Sequence, residues 1–104
     1  MDWTKILNDA IAAAKTALGN EDWSAVAKGA ATQIGKLVVT AQYIAEHKDQ
    51  MDPAEYQFTV AQNKTALHNV FTAYEAIGEA AAQNAIAAVV KAVVADVPAL
   101  AGIL

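Results

Sequence analysis

Apolar residues recur at helical spacing from one end of this chain to the other, and one residue in four is alanine, 26 of 104. Alanine is the best helix former and has little bulk, so this pattern restricts the chain to closely packed helices. There is no β-type alternation and no internal repeat. The expected fold is all-α: an up-down antiparallel bundle of three or four helices, forming a single domain over 1–104.

Three helical blocks are legible. The first runs from about residue 2 to 18, with Asp2 placed to cap its free N–H groups and Trp3, Ile6, Leu7, Ala10, Ile11, Ala14 and Leu18 along one face. Gly19 can end it with a left-handed residue. The second, about 21–48, opens with Glu21 and Asp22, where the helix dipole favours acids, and carries a stripe from Trp23 through Val26, Ala30, Ile34, Leu37 and Ala41 to Ile44. The third, 53–97, has the strongest start signal: Asp52 as cap, Pro53 as first residue, Glu55 three residues after the cap, and Met51 with Tyr56 as a hydrophobic staple.

Within that third block the pattern changes phase. The stripe Tyr56, Val60, Asn63, Leu67, Val70, Phe71, Tyr74, Ile77 gives way to Ile86, Val89, Val90, Val93, Val94, Val97. At ~100° per residue the second stripe is rotated by roughly 130° from the first. Either the chain breaks or kinks near Gly78–Asn84, or one long helix changes neighbours halfway. No residue between Glu79 and Asn84 is a strong breaker, so a continuous or mildly kinked helix is the expectation. Pro98 ends it, leaving an apolar tail over 98–104. The connections, Gly19–Asp22 and about Asp49–Asp52, are short and impose antiparallel neighbours.

Charge excludes several function classes. Seven lysines stand singly among eleven acids, there is no arginine, and the net charge is −4, which argues against nucleic-acid binding. With no cysteine there can be no disulfide, thiolate metal site or thiol nucleophile. The start, Met-Asp-Trp-Thr-Lys, lacks the basic opening of a signal peptide, so a cytoplasmic location is expected. Ala80–Leu104 has the length of a ~20-residue span. Lys91 and Asp96 interrupt it at ~2.5–3.5 kcal/mol each near a bilayer centre, so a constitutive membrane span is not expected.

Chemistry is sparse. His47 sits at a helix end, where it can serve free carbonyls. His68 shares a helical face with Lys64, Glu75 and Glu79, but on one continuous helix it lies ~10 Å from Glu75, too far to share a metal. No Glu-x-x-His pair, phosphate loop or nucleophile elbow occurs, and Ser24 is the only serine. Neither catalysis, a metal nor a cofactor is expected. Asn63 lies within an apolar stripe and could set register in an assembly. Gly29 and Gly35 interrupt the second helix, as close-approach points or as tolerated substitutions.

The unusual feature is surplus apolar surface. Val39 and Tyr43 lie opposite the main stripe of the second helix, in line with Thr32 and Lys36. On the last helix, Ala88, Lys91, Ala92 and Ala95 form a face of mostly small residues away from the valines. These six (Val39, Tyr43, Ala88, Lys91, Ala92 and Ala95) are the candidate interface residues. The expected function is a non-enzymatic interaction or assembly protein acting by helix packing, a homo-oligomer or the binder of another protein. The alternatives are a membrane-active protein that exposes Ile86–Val97 when the bundle opens, and a helical carrier of a small apolar ligand.

Overall fold

The computed structural model describes Met1–Leu104 and contains no strand. Its spine is the second helix, α2 (Asn20–His47), whose 28 residues extend ~42 Å at 1.5 Å per residue. That matches the 41 Å long axis of the molecule. Against it lie three shorter helices, α1 (Trp3–Leu18), α3 (Pro53–Thr72) and α4 (Glu79–Asp96). Each helix packs on its sequence neighbour and α4 closes the ring onto α1, giving an up-down-up-down four-helix bundle with α2 and α4 at opposite corners. The α1–α4 seam is the most extensive and the α3–α4 seam the thinnest. Ala10 and Ala14 on α1 and Ala82 and Ala85 on α4 are fully buried, and such small side chains allow close helix approach.

Local signals fix most of the ends. The Asp2 carboxylate accepts the Lys5 N–H at 3.1 Å, and Asp52 accepts that of Ala54 at 2.9 Å, with Pro53 opening α3 as its missing donor permits. Met51 and Tyr56 pack half-buried on the core. The first connection is tighter than Gly19–Asp22. Gly19 alone joins α1 to α2, at φ 86°, ψ 159°, a conformation that is essentially glycine's own. The second connection adds a 3₁₀ turn over Lys48–Gln50.

The third block corrects the sequence-based expectation. The chain does not run on as one helix from 53 to 97 but splits, and the break ends at Gly78, where the Gly78–Asn84 stretch begins. It falls at Ala73–Gly78, with Ile77 N–H bonded to the Tyr74 carbonyl at 2.9 Å. The cause is burial rather than a breaker residue. Reversal lets Ile77 stay in the core while the out-of-phase stripe of α4, Ile86, Val89 and Val93, turns into the same core. Past Pro98 the tail folds back: Leu100 is buried, and Lys64 Nζ donates to the Leu104 carbonyl at 2.9 Å.

The core is wholly apolar, running from Ile6 and Trp23 through Leu67 and Phe71 to Val93, with no polar or charged residue buried in it. Gly29 is a close-approach point: a Cβ there would meet Val70 Cγ1 of α3 at 3.2 Å. Gly35 faces open space and is merely tolerated.

Candidate interaction surfaces

No polar or charged residue is fully buried, so the polar side chains are exposed or half-buried. The outward row of α2 is the most distinctive part of the surface. Val39 is 65% exposed and Tyr43 54% exposed, one turn apart and directed away from the core. Thr32 and Lys36 precede them and Glu46 follows on the same exposed side. The Tyr43 ring does not hang free. It stacks on the His47 imidazole with centroids 4.2 Å apart and planes inclined by 24°. The His47 ring is itself fixed, since its Nδ1 lies 2.9 Å from the Tyr43 carbonyl. A carbonyl only accepts, so Nδ1 carries the proton.

The other candidate residues lie elsewhere. Ala88 and Ala92 are half-buried, and with exposed Lys91 and Ala95 they line one wall of an open groove whose other wall is α1. Ala12, Ala13 and Thr16 form that second wall. The six candidates therefore make two separate surfaces on opposite corners of the bundle, and the alanine face is already partly covered by α1. Phe58, 64% exposed on α3, is a third apolar feature that the sequence reading missed. Its signal was available: at ~100° per residue it falls opposite Val60 and Leu67.

Two charged clusters tie helices together. At the α1–α4 end, Lys5 Nζ lies 2.7 Å from Asp9 and 3.7 Å from Asp96. The bond from Lys5, then contact with Asp96, holds the Asp9 carboxyl below its ordinary range. Contact with Asp9, followed by burial, pushes the Asp96 carboxyl up. Asp96 Oδ2 is shielded and unpartnered, as suits an oxygen that takes up a proton readily. At the α3–α4 seam, His68 Nε2 meets Glu79 Oε2 at 2.7 Å. A shared continuous helix would not produce this contact; the Ala73–Gly78 turn does. Hydrogen bonding to Glu79 raises the His68 pKa, and the bonds from Gln83 and then His68 lower that of Glu79.

Neither cluster brings together three metal-ligating side chains. Ser24 Oγ donates within its own helix, to the Asn20 carbonyl at 2.8 Å. Asn63 is half-buried, with a shielded Oδ1 lacking a partner. The valines of α4 at positions 89 and 93 point into the core, and no helix is long and apolar enough to cross a membrane. No protein-family model, curated protein or solved structure matches the chain.

Proposed function

We propose that this chain is a non-enzymatic helical interaction protein that assembles with copies of itself through helix–helix packing. The supporting observation is the pair Val39 and Tyr43, exposed in line on α2 while the buried core is built without them. Aromatic side chains are enriched among residues that dominate binding energy, particularly when they are held in place before binding. Tyr43 meets that description through its stack on His47.

The test replaces Val39 and Tyr43 together with lysine and follows association by sedimentation velocity. Both side chains lie outside the core, so far-UV helicity should persist while concentration-dependent association disappears. Association unchanged in this variant would remove the α2 surface as its basis.

A further inference from the structure

The exposed row of α2 has a symmetry of its own. Lys36, Val39, Tyr43 and Glu46 follow one another at spacings of three, four and three residues, the seam along which two helices pack. Lys36 and Glu46 lie equally far either side of position 41, and so do Val39 and Tyr43. A second α2 laid antiparallel across the first, on a two-fold axis at that level, therefore sets Lys36 opposite Glu46 and Val39 opposite Tyr43, each twice. A parallel pairing would set lysine against lysine and glutamate against glutamate. Lys36 and Glu46 have no ion-pair partner within the chain, whose only ion pairs are Lys5 with Asp9 and Asp96, and His68 with Glu79.

We infer that the occupant of this face is a second copy of the chain, bound as an antiparallel two-fold α2–α2 pair centred at the level of Ala41. The inference rests on the self-assembly reading and specifies its geometry. A two-fold interface must be self-complementary, and this row is complementary to itself in both charge and apolar content. The Val39–Tyr43 layers form the dry centre, and the Lys36–Glu46 pairs form the rim that sets direction. The contact is short and belongs among small, transient interfaces.

Charge reversal in trans tests it. Lys36→Glu alone places two glutamates opposite each other twice per dimer, and Glu46→Lys alone does the same with lysines. Each variant should self-associate more weakly than the wild type by about ten-fold, with helicity unchanged. Mixing the two variants should restore association. Every rim contact in the mixed dimer then sets a glutamate of the Lys36→Glu chain against a lysine of the Glu46→Lys chain. Combining both changes in one chain should restore association as well. Wild-type association that neither reversal weakens, or weakening that mixing does not rescue, overturns the antiparallel α2 pair while leaving self-assembly through another face standing. A wild-type chain that stays monomeric throughout a series into the high micromolar range overturns both.

Discussion

Tyr43 lies nearly flat on the His47 imidazole, 4.2 Å between ring centroids, on the exposed side of α2. The stack holds an aromatic ring in place on a surface open to solvent, Tyr43 being more than half exposed. His47→Ala should release the ring and restore rotamer freedom worth ~0.5–1.5 kcal/mol, which binding must then remove. Self-association should weaken by roughly two- to ten-fold while the circular dichroism of the monomer is unchanged. An unaltered dissociation constant by sedimentation equilibrium would mean that the stack plays no part in assembly.

The His68–Glu79 contact makes the thin α3–α4 seam sensitive to pH. The His68 pKa is raised above its ordinary 6.5, so its contribution is fully present below pH 6.5 and lost as pH rises through the raised value. The Glu79 pKa is lowered below 4.5, so its contribution is present above pH 4.5 and lost as pH falls through the lowered value. Thermal stability attributable to this pair should therefore be greatest between pH 4.5 and 6.5. His68→Gln should flatten the decline on the alkaline side. A wild-type melting temperature that rises from about pH 6 to about pH 8, with the same slope in the variant, would contradict this.

Asp96 has the opposite sign to a typical salt-bridged carboxylate. Its pKa is raised above 3.8, so its stabilising contribution is present below pH 3.8 and lost as pH rises through the raised value. Asp96→Asn keeps the shape, removes a charge facing Asp9 and supplies an amide donor. At neutral pH the variant should melt at or above the wild-type temperature, and its advantage should shrink in acid. A clear loss of melting temperature at neutral pH would show that the 3.7 Å contact with Lys5 outweighs repulsion from Asp9.

Three glycines should respond to alanine in three ways. Gly19→Ala places a side chain at φ 86°, at a cost of about 1–3 kcal/mol. Gly35→Ala meets nothing within 4 Å and should gain roughly 0.5–1 kcal/mol from helix propensity. Gly29→Ala has the same propensity gain but presses on Val70 Cγ1 at 3.2 Å, and should fall between the two. The order of the three melting temperatures checks the α2–α3 packing directly.

Much of this architecture is legible in the residues. Asp2, Gly19, Asp52 and Pro53 mark helix ends through chemistry confined to one turn, so they can be read locally. The Ala73–Gly78 turn cannot, because no residue there forbids a helix. Only the change of phase between the Val60–Ile77 and Ile86–Val97 stripes announces it, and two faces out of phase can be buried either by reversal or by different neighbours. The His68–Glu79 pair was hidden for the same reason, since it exists only once the chain turns back. Val39 and Tyr43 stood out because they oppose a long, unambiguous stripe. Phe58 opposes the Val60–Leu67 stripe, whose spacing is less regular. The partial cover of Ala88 and Ala92 by α1 depends on which helices become neighbours, which short loops alone do not decide.

Whether the α2 surface brings copies of this chain together is decided by their absolute mass in solution. Light scattering coupled to size exclusion, without detergent and over a concentration series, should give a weight-average mass that climbs from the 10.9 kDa of one chain towards twice that value. The Val39→Lys, Tyr43→Lys double variant should remain at one chain. A wild-type mass fixed at 10.9 kDa at every concentration would contradict self-assembly.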